Sequence, residues 1–432
     1  MRWVGPSVAL VLAGCPGPSL DSSTERECEW ESPCWPDGTI QVQRERSLPD
    51  PVTIAAGPEI IEVGDLTGSG IPQIYVGTTH TVTRLDGADW GVATEIWRQP
   101  GDGTYVHPVV ADVTGDGLAD LIVGLPGSDD DAGQVVIFEG PVREPVSWAT
   151  PNIQLKGAEG LQAGATVAAA ELNRDGVLDL IVKGDGVAWV RFGPITEGGS
   201  LGSEGDATFT HAVGRLMGSH VGSDLTGDGV VDLALTVEAE DRSSCETLNE
   251  WELRVVPGPL APGRFDADDA PIHVVPPDYA SSLVFGSLDD HDGDGVGDLL
   301  YLGVDISHPW IWWPVHTLYR GPFTSDSVPD LRFSGFGIPT ALADFDGDGS
   351  LDLFQLGLVG IVGGPLEDRP VRYDGDCVLQ LDELWGGSAQ YLQTDPRAWV
   401  GDLDQDGRPD VVYTDRQDSE SGLAWVVLSS AE

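Results

Sequence analysis

An acidic nine-residue loop returns seven times along this chain, at intervals of roughly 47 to 66 residues, and it constrains the fold more than any other feature. Six copies are full strength: Asp112-Val-Thr-Gly-Asp-Gly-Leu-Ala-Asp120, Glu171-Leu-Asn-Arg-Asp-Gly-Val-Leu-Asp179, Asp224-Leu-Thr-Gly-Asp-Gly-Val-Val-Asp232, Asp290-His-Asp-Gly-Asp-Gly-Val-Gly-Asp298, Asp344-Phe-Asp-Gly-Asp-Gly-Ser-Leu-Asp352 and Asp402-Leu-Asp-Gln-Asp-Gly-Arg-Pro-Asp410. The first in the chain, Asp65-Leu-Thr-Gly-Ser-Gly-Ile-Pro-Gln73, keeps the shape and loses most of the charge. Each loop sits in one repeating pattern. A short apolar strand leads in, as in His107-Pro-Val-Val-Ala111, and a second leads straight out, as in Leu121-Ile-Val123. A third alternates, as in Gln134-Val-Val-Ile-Phe138, and the Gly-Pro pairs at 140–141, 193–194, 258–259, 321–322 and 364–365 follow such strands. Proline has no N–H to give a ladder, so it closes the strand. A less regular fourth strand leads into the next unit.

About four short strands every ~50 residues is the signature of a radial propeller. The expected fold is therefore all-β, a seven-bladed β-propeller of four-stranded blades. Few residues follow the strand at 424–428, so the last blade is expected to take its outer strand from an N-terminal segment, either 38–45 or 51–56. The expected domains are a signal peptide at 1–14, a tether at 15–37 and the propeller at 38–432.

The loop chemistry points to a hard cation. Calcium takes six to eight oxygens at about 2.3–2.6 Å from carboxylates, amides and carbonyls. Position 1 supplies Asp112, Glu171, Asp224, Asp290, Asp344 and Asp402, and position 3 supplies Thr114, Asn173, Thr226, Asp292, Asp346 and Asp404. Position 5 supplies Asp116, Asp175, Asp228, Asp294, Asp348 and Asp406, and position 9 supplies Asp120, Asp179, Asp232, Asp298, Asp352 and Asp410. Backbone carbonyls at position 7 (Leu118, Val177, Val230, Val296, Ser350 and Arg408) complete the set. Glycine at position 6 permits the sharp turn. No Cys or His stands at these ligand positions, which argues against zinc and copper. An EF-hand would need flanking helices and a Glu at position 12, and that position is never acidic here. About six Ca²⁺ sites are expected. Loop one, with Asp65 as its single carboxylate, reads as a structural turn.

With 22 basic against 71 acidic residues the formal charge is −49. That excludes nucleic acid as the expected partner, because phosphate recognition needs clustered Lys and Arg. At the N-terminus, Arg2 precedes a short apolar run ending in Leu12-Ala-Gly-Cys15, which resembles a bacterial lipobox. The resemblance implies cleavage before Cys15 and lipidation of its thiol. An ordinary signal peptide that happens to contain Cys is the plainer alternative. No later segment has the ~18 uninterrupted apolar residues needed to span a bilayer, so the lipid anchor is the expected membrane contact. The expected location is the bacterial cell envelope or cell surface. The remaining cysteines are Cys28, Cys34, Cys245 and Cys377. Cys28 and Cys34 lie close enough in sequence to pair locally, and four cysteines leave three connectivities open.

The unit resembles the FG-GAP/VCBS repeat of integrin α-chain propellers and bacterial surface proteins. The clearest stretch is Asp120-Leu-Ile-Val-Gly-Leu-Pro-Gly127 followed by Gly133-Gln-Val-Val-Ile-Phe-Glu-Gly-Pro141, with echoes at Phe285-Gly286 and Phe336-Gly337. The resemblance spans about residues 55–430 and implies a seven-bladed propeller with calcium between first and second strands.

Catalytic signals are poor, and no catalytic residue is expected. Gly198-Gly-Ser-Leu-Gly202 matches a nucleophile-elbow pattern but lacks the buried strand before it and the helix after it, so it reads as a glycine-rich connection. Trp310 and Trp312 fall on one side of an extended segment, at the end of the blade opposite the acidic loops. There they are either a platform for a sugar or peptide or inter-blade packing. The expected function is a non-enzymatic binding or adhesion module for an extracellular or envelope protein or glycan ligand. A lectin-like propeller is the second reading and a polysaccharide-degrading enzyme the third.

Overall fold

The computed structural model describes residues 60–427, except 79, 87–91, 100–105, 212–215, 222, 239–250, 275–283, 306–312, 335–337, 346–348, 357–359, 363–377, 381–397, 404, 406 and 417–421. Contacts divide the chain into two units, Met1–Pro33 and Cys34–Glu432, and every described residue belongs to the second. All five cysteines, Trp310, Trp312 and the two segments expected to complete the last blade lie outside the described residues.

The expectation of an all-β chain holds. Among the described residues there are seven sheets and a single 3-10 turn, Ala267–Asp269. Sheet one comprises Ile60–Gly64, Gln73–Gly77, Thr81–Asp86 and Val92–Arg98. Sheet two has His107–Ala111, Asp120–Leu125, Gln134–Phe138 and Ile153–Lys156, and sheet three has Thr166–Ala170, Asp179–Gly184, Val187–Arg191 and Ala207–Thr210. Sheet four has Leu216–Val221, Leu233–Glu238, Trp251–Val256 and Ile272–Val274. Sheet five has Val284–Asp289, Asp298–Asp305, Trp313–Tyr319 and Leu331–Ser334. Sheet six has Ile338–Ala343, Asp352–Leu356, Gly360–Val362 and Val378–Gln380, and sheet seven has Ala398–Gly401, Asp410–Arg416 and Gly422–Val427. These strands pair antiparallel with their chain neighbours, as hairpin connections require.

Three sheets depart from the four-strand expectation: among the described residues sheet seven has three strands, and sheets two and three have five. Gly199–Ser200 pairs in parallel with the outer strand of sheet two, and Gly263–Asp266 does the same on sheet three. In both cases the connection between the third and fourth strands of the following sheet is long enough to run along its neighbour's outer edge. Edge N–H and C=O groups that would face solvent thereby find partners. The glycine-rich 198–202 segment is this added strand, and a Cβ on Gly198 would meet the Gln154 carbonyl oxygen at 2.7 Å.

The core lies between sheets, because a half-buried sheet must cover its apolar face with a neighbour. Val109, Ile122 and Val135 of sheet two pack with Val167, Leu180 and Trp189 of sheet three. Similar buried clusters join sheets one and two, three and four, four and five, and five and six. Ile74, Val76 and Leu85 of sheet one pack with Leu403 and Val412 of sheet seven. The first strands of sheets six and seven are also in contact.

Candidate metal loops

The acidic loops all join first to second strands, so they gather at the same end of their sheets. Glycine at position 6 takes φ between 78° and 92° at Gly70, Gly117, Gly176, Gly229, Gly295, Gly349 and Gly407, as the turn demands. Position 4 was missed in the sequence. It too is left-handed, at Gly68, Gly115, Gly227 and Gly293, and also at Arg174 (φ 65°) and Gln405 (φ 64°), where an L side chain bears the strain.

Position 1 is wrapped by the loop's own backbone. Asp112 Oδ1 accepts the N–H of Gly115 (2.7 Å) and of Asp116 (3.2 Å), and its Oδ2 accepts that of Gly117 (2.8 Å). Asp290 repeats this with Gly293, Asp294 and Gly295. The position 5 carboxylate turns back to the N–H of position 7, at 2.8–2.9 Å in Asp116, Asp175, Asp228 and Asp294. These bonds hold the side chains of positions 1 and 5 toward one centre. In loop five, oxygens of Asp290, Asp292 and Asp294 lie within 4.8 Å of one another. Three hard carboxylate oxygens in one small space fit a calcium ion, and would repel one another without a cation. Arg320 sits 3.5 Å from Asp292 at the rim of this group. In loops six and seven, positions 3 and 5 lie outside the described residues.

Position 9 has a structural duty beside any ligation. Asp120, Asp179, Asp232, Asp298, Asp352 and Asp410 are all buried. Their Oδ2 atoms accept the N–H of position 2, from Val113 (3.1 Å), Leu172 (2.8 Å), His291 (3.1 Å), Phe345 (2.9 Å) and Leu403 (2.8 Å). Their Oδ1 atoms accept the glycine N–H of the Gly-Pro pair, from Gly140 (3.0 Å), Gly193 (2.9 Å), Gly258 (2.9 Å) and Gly321 (3.0 Å). In Asp120 the Thr114 N–H and hydroxyl add a second donor to Oδ2 and to Oδ1. Burial pushes the carboxyls of Asp179 and Asp298 up to about 6 against these N–H donors, with help from neighbouring acids of the same loops. Asp120 and Asp232 are raised as well, again chiefly by burial.

The residue after each of the first four Gly-Pro pairs reaches backward. Val142, Ile195, Leu260 and Phe323 donate their backbone N–H, at 2.7–2.9 Å, to the position 2 carbonyls Leu66, Val113, Leu172 and Leu225 of the preceding sheet's loop. One residue at position 2 thus serves two sheets. Its N–H binds its own position 9 carboxylate, and its C=O is clasped by the next sheet. Arginines add further ties: Arg143 Nε donates to the Thr67 carbonyl at 2.9 Å, and Arg174 to the Asp228 carbonyl at 3.3 Å.

Loop one departs from this scheme. Asp65 Oδ1 accepts from the Thr67 hydroxyl (3.0 Å) and the Ser69 N–H (3.0 Å), while Oδ2 accepts the N–H of Gly70. Burial raises this carboxyl, but these donors outweigh it and hold Asp65 at about 2.

Comparison with known proteins reaches the same part of the chain. Residues 106–138, which hold the first three strands and the acidic loop of sheet two, match the FG-GAP repeat. Integrin alpha-X of Mus musculus is 30% identical over 156 aligned positions, and the match covers 30% of this chain but 12% of the integrin. Two solved structures superpose with lower scores. One is an Agrocybe aegerita lectin that recognises non-reducing terminal N-acetylglucosamine, with 13% identity and a TM-score of 0.40, covering 86% of this chain and 80% of that one. The other is the V. cholerae biofilm matrix protein Bap1, with 11% identity and a TM-score of 0.42, covering 90% and 91%.

Proposed function

We propose that this chain is a seven-bladed β-propeller stabilised by calcium, anchored at a bacterial surface through Cys15, and acting as a non-enzymatic binding or adhesion module. The observation that carries the calcium reading is the convergence of Asp290, Asp292 and Asp294 oxygens inside a loop whose backbone already fixes them. The ring reading is supported by apolar packing that runs from sheet to sheet and recurs between sheets seven and one. The FG-GAP match and the integrin kinship support a binding role at a cell surface.

In loops two to seven, positions 1, 3 and 5 with the position 7 carbonyl would hold the ion, and position 9 would close the shell. The ion supplies charge neutralisation and stiffness. At millimolar calcium and a Kd of roughly 10⁻⁴ M, each site adds about 1.4 kcal/mol to stability. Because these carboxylates serve the scaffold, ligand recognition falls to the opposite end of the sheets.

Two measurements test this reading. Native mass spectrometry in calcium should find about six bound ions per chain, and their absence would remove the metal. Glycan and protein arrays probed with calcium and with EDTA should show saturable binding without turnover. Depolymerisation of a polysaccharide would overturn the non-enzymatic role.

A further inference from the structure

Loop one holds a buried polar group aimed into the place where the other loops gather oxygens. Gln73, at position 9, is 6% exposed. Its Nε2 donates to Asp65 Oδ1 (3.4 Å), to Ser69 Oγ (3.2 Å) and to the Ile71 carbonyl. Those are positions 1, 5 and 7, three of the oxygens that surround a cation in the acidic loops. One nitrogen with two hydrogens thus sits among three acceptors, as a small electropositive centre.

The amide's orientation is fixed from behind. The Tyr75 hydroxyl is bonded to the backbone of Leu66, so its single proton goes to Gln73 Oε1, at 2.9 Å. With Oε1 accepting, Nε2 must face the loop. Tyr75 also answers for a missing acceptor. In the acidic loops the position 2 N–H is taken by the position 9 carboxylate, and in loop one the Tyr75 hydroxyl meets the same peptide. The departures are mutually consistent: serine at 69 removes a charge, glutamine at 73 supplies hydrogens, and tyrosine at 75 takes over the buried N–H.

We infer that the Gln73 carboxamide is a built-in substitute for the cation, which makes loop one a metal-independent member of a metal-dependent series. The inference takes from the calcium reading only the position at which an ion would sit.

The test exchanges the donor for an acceptor of the same shape. Gln73→Glu in the full chain turns the electropositive centre into a second carboxylate facing Asp65. In EDTA the variant is expected to melt about 2–4 °C below wild type. Calcium should close that gap, and native mass spectrometry in calcium should find one more ion per chain than in wild type. The double variant Gln73→Glu/Ser69→Asp restores a third carboxylate and should also bind the additional ion. Equal melting of wild type and Gln73→Glu in EDTA would overturn the inference, and so would a deficit that calcium leaves unchanged with no added ion. If wild type itself proves indifferent to calcium, the reading of the other loops fails. The difference between variant and wild type still decides loop one.

Discussion

Loops one and five share a backbone course and differ in what fills them. Both wrap the position 1 carboxylate in N–H donors and both turn at a left-handed glycine, Gly70 in one and Gly295 in the other. Loop five brings three carboxylates together, which a cation would hold on the reading proposed above. Loop one has a single carboxylate, and its remaining acceptors face an amide. The shape therefore does not require the metal. The backbone sets the turn, and side chains decide whether an ion would complete it.

The largest expected effect is calcium removal. Six sites at about 1.4 kcal/mol each approach the stability margin of a whole domain, so excess EDTA should lower the melting midpoint strongly. Hydrogen exchange sharpens the contrast: amides 290–298 should lose protection in EDTA and amides 65–73 should keep theirs. Equal loss in both loops would break the comparison.

Asp298→Ala comes next. It leaves the N–H groups of His291 and Gly321 without their acceptor, at a cost of about 2–4 kcal/mol in chemical denaturation. Part of that loss should persist in EDTA, because this duty is independent of the ion. A loss confined to calcium buffer would mean that position 9 acts only as a ligand.

Tyr75→Phe probes the same duty in loop one. Removing the hydroxyl should cost about 1–2 kcal/mol, equally with and without calcium. Dependence on calcium would contradict a self-contained loop.

A separate test concerns pH. Glu62, on the first strand of sheet one, carries a carboxyl that burial pushes up to about 8 against a bond from the Val110 backbone. The folded state holds this proton at pH values where the unfolded chain, with an ordinary carboxyl near 4.3, releases it. Stability should therefore fall as pH rises from about 4.3 and level off above 8. Glu62→Gln should remove that slope, so its advantage over wild type grows with pH and then stays constant. The effect should be the same in EDTA. A parallel pH profile for the two proteins would show that Glu62 titrates normally.

Much of the molecule was legible because it repeats. Strand, acidic loop and strand recur with glycine fixed at position 6, so the all-β class and the placement of loops between first and second strands followed from spacing. The lapse of loop one was also legible, from Ser69 and Gln73 in place of acids. Its interior was not, because only the fold brings the Gln73 amide and the Tyr75 hydroxyl around one centre. The double duty of position 9 was hidden for a similar reason. Its partners Gly140, Gly193, Gly258 and Gly321 lie 14 to 26 residues away, and their proline neighbours drew attention to strand termination. The parallel edge strands escaped notice because Gly199–Ser200 has neither alternation nor β-branched residues, and its pairing comes from its neighbour's open edge.

The clasp after the first four Gly-Pro pairs has a direction, with its donor facing the sheet before and its acceptor facing the sheet after. It is a heterologous, head-to-tail contact, and such contacts set no copy number by themselves. A segment such as residues 106–165 carries one donor and one acceptor, so duplicating or deleting it leaves every other seam matched. Between sheets seven and one the tie is of another kind: the Gln405 amide of loop seven donates to the Gly70 carbonyl at 3.5 Å. The seams from sheet one to sheet five are therefore alike and interchangeable, and this one is not.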